Sequence, residues 1–181
     1  MTEIRAVCVF CASSEGAAAR DRKLAHELGT AIAERGWRLV YGGGDVGLMG
    51  EVAHAALAAA GGVTGVIPRK LVTHELALRE VDELVVTESM RERQRIMDER
   101  SDAFVVLPGG LGTLAELLEM LTLAQLGYHD RPVVLLDPDG FWQPLRHQLE
   151  AAAARGLANS QPEALTAPAD SVVAALARLA S

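Results

Sequence analysis

Two glycine-rich stretches and the charged residues around them carry most of the unusual chemistry in this sequence. Tyr41-Gly-Gly-Gly-Asp-Val-Gly-Leu-Met-Gly50 and Pro108-Gly-Gly-Leu-Gly-Thr113 each lead from an apolar run into a helix-type pattern. Backbone N–H groups at a helix start, freed of side chains by glycine, form a ready phosphate site. The competing reading is conformational, since glycine also supplies positive φ in tight turns. Neither stretch is a P-loop, because no Lys-Ser/Thr pair follows the glycines, and ATP hydrolysis is not indicated. Gly42, Gly44 and Gly47 formally match G-x-G-x-x-G. That match follows the second strand-like run rather than the first, and no acidic residue stands about 20 residues on to hold a ribose. Arg69 lies there instead, thin support for a 2′-phosphate, so a dinucleotide reading is disfavoured.

Glu116 falls one turn into the helix that the second stretch opens. Leu114, Leu117, Leu118 and Leu121 form that helix's apolar face, which directs Glu116 away from the core and toward the rim. Alone it reads as a solvated glutamate favouring a helix N-terminus. Beside a phosphate-type loop a carboxylate repels the anion that the loop attracts, which points to chemistry. Arg93 lies in the first turn of a helix rich in Arg91, Arg95, Asp98, Glu99 and Arg100, most of which reads as a solvated face with i, i+3 and i, i+4 pairs. A cation in a first turn opposes the helix dipole, so Arg93 requires an anionic ligand or a buried carboxylate partner. Cys8-Val-Phe-Cys11 has no second cysteine pair for zinc and reads as buried structural thiols. The histidines show no metal-binding spacing, and His129 and His147 read as surface residues.

These residues need a scaffold, and the pattern supplies one. Strand-length apolar runs at Ile4–Phe10, Trp37–Tyr41, Val63–Ile67, Leu84–Thr87, Ala103–Leu107 and Pro132–Asp137 alternate with helical patterns at about 20–35, 47–60 and 89–100, and with one that follows PGGLGT and runs to about Leu126, with one or two helices afterwards. Strand–helix–strand repetition with nearly continuous apolar strands means parallel pairing, with helices on both faces. The expected fold is α/β, a three-layer doubly wound (Rossmann-like) parallel sheet in one domain over residues 1–181. Ligands bind such sheets outside the carboxyl ends of the strands, which puts both glycine stretches on one rim and favours a phosphorylated ligand. The Ala-rich tail from Ala151 is expected to form a loosely packed terminal helix or one that docks on a partner subunit.

Half of the 181 residues are hydrophobic, 23% are charged, and the formal net charge is -7. An acidic chain lacks the basic footprint of non-specific nucleic-acid binding. No apolar run reaches the roughly 18 residues of a membrane span. The start, MTEIRAVCVF, lacks a cleavable signal pattern. A cytoplasmic protein with neither nucleic-acid nor membrane partners is the expectation.

Taken together, Y-G-G-G-x-V-G-L-M-G, M-x-x-R and P-G-G-L-G-T-x-x-E resemble the LOG (Lonely Guy) family of cytokinin riboside 5′-monophosphate phosphoribohydrolases, often labelled possible lysine decarboxylases. The resemblance extends in register from about Val7 to Asp137, through V-F-C-x-S-S-x-G at Val9–Gly16 and A-Q-L-G at Ala124–Gly127. It implies a Rossmann-like hydrolase that cleaves the N-glycosidic bond of AMP or an N6-substituted AMP, releasing base and ribose 5-phosphate without metal or organic cofactor. It further implies a homodimer with active sites completed near the subunit interface. Arg93 and Glu116 match the family's catalytic pair. Glu75, Gly109, Gly110, Leu111, Gly112, Thr113 and Thr122 match its ligand contacts, and Ser13, Gly43, Gly44, Met90 and Gln94 complete the expected substrate-binding set. This chain departs from the family pattern where Arg91 and Gln94 replace a histidine and a lysine, and where Ala12 replaces the first residue of G-S-S.

The residues suit that chemistry independently. Breaking a C1′–N bond passes through an oxocarbenium-like centre, which a carboxylate can stabilise while it orients or deprotonates water. Arg93 has three open roles: securing the phosphate, securing the carboxylate, or assisting departure of the base. Three alternatives stand beside this reading: a carrier of a phosphorylated cofactor such as a molybdopterin, a general purine nucleotide nucleosidase, and a decarboxylase. The last needs pyridoxal phosphate on a Schiff-base lysine, and neither Lys23 nor Lys70 has a recognisable motif around it.

Overall fold

The computed structural model describes residues 3–72, 76–158 and 167–180. Strands β1 (Ala6–Phe10), β2 (Arg38–Tyr41), β3 (Val63–Pro68), β4 (Glu83–Thr87), β5 (Ala103–Val106), β6 (Val133–Leu136) and β7 (Ala167–Ala169) form one sheet in the order β4-β3-β2-β1-β5-β6-β7. Every pairing is parallel. The helices are α1 (Ala19–Glu34), α2 (Gly47–Ala58), α3 (Met90–Glu99), α4 (Leu111–Gln125), α5 (Gln143–Ala154) and α6 (Val172–Leu179).

The strand pleat sorts the core into two layers. Val7 and Val9 of β1, with Val105 of β5 and Val134 of β6, face a cluster containing Leu28 and Ile32 of α1, Val52 of α2 and Leu176 of α6. Their neighbours Cys8, Phe10, Phe104 and Leu135 face the opposite cluster, with Met97 of α3, Leu117 and Met120 of α4, and Trp142 beside α5. Period-two alternation between two apolar faces makes the strands read as unbroken apolar runs. The expected three-layer doubly wound sheet is the observed one, and the six expected strands are all present.

The C-terminal part differs from expectation in two ways. A seventh strand, only three residues long, pairs along the β6 edge, where Pro168 is tolerated because an edge strand need not donate every bond. The terminal helix is not loose. Ser171 caps α6 by accepting from Ala174 N–H, and Val172, Ala175, Leu176 and Leu179 are buried in this chain's own core. Leu118, expected on the apolar face of α4, is exposed; Leu117, Met120 and Leu121 are buried on that face, with Leu114 packed partly buried beside them. His129 is half-buried rather than a free surface residue, with Nε2 at 3.0 Å from the Met120 carbonyl and its ring tilted against Phe104.

Strand order runs one way from β1 to β4 and the other way from β5 to β7. The switch point between β1 and β5 therefore leaves a crevice between the loop after β1 and the loop after β5.

Candidate active site

A cleft of about 240 Å³ opens at that switch point. Cys11, Ala12, Ser13 and Ser14 after β1 line one side, and Gly110, Leu111, Gly112, Thr113 and Glu116 of the β5–α4 turn line the other. Met49 of α2, Leu71, and Met90 and Arg93 of α3 complete it. Five parts of the chain distant in sequence thus meet at one crevice.

Arg93 is drawn inward by one acceptor on a strand and one on a loop. Its Nε donates to the Val66 carbonyl of β3 at 3.1 Å, and Nη2 donates to the Gly42 carbonyl at 3.3 Å. Nη1 lies 3.7 Å from Glu116 Oε1 and 3.7 Å from Met90 Sδ. Arg93 and Glu116 are each only 6% exposed. A buried carboxylate without a cation is costly, so each member of the pair makes the other tenable. The cation in the first turn of α3 thus has the buried carboxylate partner that its position demanded. Glu116, expected to point away from the core toward the rim, does border the cleft, but it is buried there, so the solvated alternative does not hold. Behind it, Cys8 is fully enclosed. Burial first, and then the charge of Glu116, push its thiol well above the usual range, so it is an inert structural thiol.

The start of α4 is unusually open. Its N-cap is Gly110, with no side-chain cap, and helix geometry leaves the first-turn N–H groups without intrahelical acceptors. None of Gly109, Gly110 and Gly112 has positive φ, so turn strain does not require glycine there. A Cβ on Gly109 would lie 2.1 Å from Thr113 Oγ1, whereas a Cβ on Gly110 or Gly112 would meet nothing within 4 Å. Those two glycines leave space that no protein atom fills. Thr113 is buried at the floor, and Leu111 is 86% exposed at the mouth.

The remaining expected residues divide clearly. Ser13, Met90, Leu111 and Thr113 line the cleft. Gly43 and Gly44 do not: Gly43, at φ +80°, accepts from Leu78 N–H, and Gly44 bridges Ala77, so both tie down the segment after β3. Gly109 shapes the turn from beneath. Gln94 is half-buried on α3 outside the lining, and Thr122 is exposed, its hydroxyl donating to the Leu118 carbonyl at 2.7 Å. Glu75 lies outside the described residues. Met49, Leu71 and Cys11 belong to the cleft and escaped the sequence reading, because hydrophobic residues after strands carry no chemical signature. Neither lysine lines the cleft; Lys23 sits 3.6 Å from Glu27 on α1, and Lys70 is exposed. Among the described residues no three His, Cys, Asp or Glu side chains gather as a metal would require.

Fold and cleft together define a doubly wound α/β protein with a polar pair at the sheet's switch point. A family model described as "Possible lysine decarboxylase" matches residues 49–179, and the chain belongs to that family, the one that includes the LOG proteins. It is 54% identical over 140 residues to the cytokinin riboside 5′-monophosphate phosphoribohydrolase of Mycobacterium tuberculosis, covering 77% of this chain and 74% of that protein. The Mycobacterium marinum protein of the same name is 49% identical over 150 residues, covering 83% of this chain and 80% of its own length. Among solved structures, the molybdenum cofactor binding protein from Rippkaea orientalis superposes with a TM-score of 0.72 at 29% identity, over 99% of this chain and 98% of that one.

Proposed function

We propose that this chain hydrolyses the N-glycosidic bond of a nucleoside 5′-monophosphate, AMP or an N6-substituted AMP, giving free base and ribose 5-phosphate. The observation that carries this reading is the Arg93–Glu116 pair, 3.7 Å apart and buried at the wall of a cleft whose other wall is the open start of α4. The names of the mycobacterial relatives support the same activity.

The chemistry follows from the layout. First-turn amides of α4 hold the 5′-phosphate in the space left by Gly110 and Gly112, with Thr113 and Ser13 as side-chain donors. Fixing the phosphate spends binding energy remote from the reacting bond to orient the ribose. Glu116 faces the anomeric carbon, stabilises its developing positive charge and orients or deprotonates the attacking water. Of the three roles open to Arg93, securing the carboxylate fits best, because two of its nitrogens are already committed to backbone carbonyls. Met49, Leu71, Met90 and Leu111 give the cleft an apolar side that suits a base and a hydrophobic N6 group.

The protein acts as a cytoplasmic homodimer in this reading. Leu111, Leu118, Leu126 and Tyr128 are exposed along and just beyond α4, and Cys8 and Cys11 form no disulfide, as in a reducing compartment. A sedimentation experiment giving a monomer at micromolar concentration would remove the dimer. The rival reading, a carrier of a molybdenum cofactor, has the Rippkaea structure in its favour. A carrier has no use for a buried acid beside its ligand. Incubation with AMP and with N6-isopentenyl-AMP, followed by chromatography, tests the proposal: free base appears from both, faster from the prenylated nucleotide. Equal rates would indicate a general nucleotide nucleosidase, and intact nucleotide in both would refute hydrolysis.

A further inference from the structure

Gly42 stands apart from the other glycines of its loop. Gly43 and Gly47 have φ of +80° and +60°, and a Cβ on either would meet backbone. Gly42 is not in the positive-φ region, so its backbone would accept any residue. What forbids a side chain is space already taken. A Cβ there would lie 2.0 Å from Arg93 Nη2, 3.2 Å from Arg93 Cζ and 2.6 Å from Met49 Sδ, and these three atoms are its nearest neighbours. The same residue's carbonyl accepts from Nη2 at 3.3 Å, while Met49 Sδ lies 3.9 Å from that nitrogen. Gly42 therefore both receives the guanidinium and vacates the volume it occupies.

We propose that Gly42 is a positioning residue for the reaction, its missing side chain setting where the Arg93 guanidinium sits against Glu116. The inference rests on the functional reading above. A methyl group at position 42 has to push Nη2 aside. Nε is held by the Val66 carbonyl at 3.1 Å, so the guanidinium swings about that anchor and the separation from Glu116 changes. None of the atoms that a Cβ here would meet belongs to the start of α4, so the grip on the phosphate is spared.

The test is turnover of AMP by wild type, Gly42→Ala, Arg93→Lys and the double variant Gly42→Ala/Arg93→Lys. Gly42→Ala lowers kcat by about 100-fold, the loss expected of a misplacement near 1 Å, with KM changed by less than about threefold. Lysine carries a single nitrogen and nothing at the Nη2 position. Arg93→Lys alone is impaired, yet adding it to Gly42→Ala raises kcat by about tenfold over Gly42→Ala, a rescue that a generally damaged fold would not give. Should Gly42→Ala fail to fold, the substitution is made in an Arg93→Ala background and followed by thermal melting. There it costs clearly less than in wild type, because both Arg93 contacts are gone and only the flexible Met49 Sδ, 2.6 Å away, still has to give. Gly42→Ala with near wild-type kcat, or a loss of melting temperature equal in both backgrounds, overturns the inference and leaves the proposed activity standing. Wild type without any turnover overturns both.

Discussion

The two glycine-rich helix starts look interchangeable in the sequence and do opposite jobs in the molecule. At the start of α2 the N–H groups of Leu48 and Met49 both donate to the Ala12 carbonyl, at 2.9 and 3.3 Å, so the protein satisfies its own helix terminus. Gly47 there is a close-approach joint: a Cβ would lie 2.6 Å from the Ser14 carbonyl oxygen, and φ is +60°. At the start of α4 no comparable carbonyl among the described residues caps the first turn, and a Cβ on Gly110 or Gly112 would meet none of their atoms within 4 Å. One loop is a hinge of the scaffold that seats Arg93 and presses Ser13 and Ser14 toward the cleft. The other is left open, and in the proposed function it is the anion cradle. Glycine spacing announces that a backbone lies close to something; only the partner atoms say whether that something is protein or ligand.

The contrast is open to attack by substitution. The largest effect belongs to Gly47→Ala, which combines left-handed backbone strain with a clash against backbone and should cost about 2–4 kcal/mol in urea unfolding. A cost under about 0.5 kcal/mol would mean that the α2 joint is not a close-packed one. Gly112→Ala should separate stability from binding. It gains about 0.5–1 kcal/mol of folding stability, as alanine does over glycine inside a helix, while weakening nucleotide affinity about tenfold. Calorimetric titration and melting read both quantities, and a variant that loses stability, or binds as wild type does, would deny that position 112 borders a ligand. The smallest effect concerns inorganic phosphate alone. At about 10 mM it should raise the wild-type Tm by about 1–3 °C through mass action, and should not do so in Gly112→Asp, where a carboxylate enters the cradle. An equal rise in both would place the anion elsewhere.

Much of this was legible from residues alone, for physical reasons. Six strands declared themselves because both sheet faces are covered, which keeps runs such as Ala103–Leu107 wholly apolar. β7 did not, since Ala-Pro-Ala has neither the length nor the branching of a strand and owes its conformation to the β6 edge. Terminal helix α6 was misjudged because alanine-rich faces look weakly apolar until Leu176 and Leu179 are seen to enter the core. At the site, the oddity of a cation in the first turn of α3 pointed to an anionic ligand or a buried carboxylate, and the structure supplies the carboxylate. That the partner was Glu116, buried rather than solvated, was beyond helical periodicity, because the burying atoms come from α3 and from the cleft walls. Gly42 was noticed for the wrong reason. Its meaning is a contact with Arg93, 51 positions away, which no local pattern encodes. The family resemblance supplied Thr122, Gly43 and Gly44 as ligand contacts, and within this chain all three lie off the cleft lining.

The central claim is that Glu116 performs the bond cleavage while the α4 start does the holding. Its most direct test is Glu116→Gln, a near-isosteric change at a group whose loss costs about 10²–10⁴-fold when it acts as acid or base. Wild type is expected to convert AMP into equimolar adenine and ribose 5-phosphate, and the variant to release no detectable adenine while AMP still raises its melting temperature. Adenine release by the variant at the wild-type rate would contradict the account.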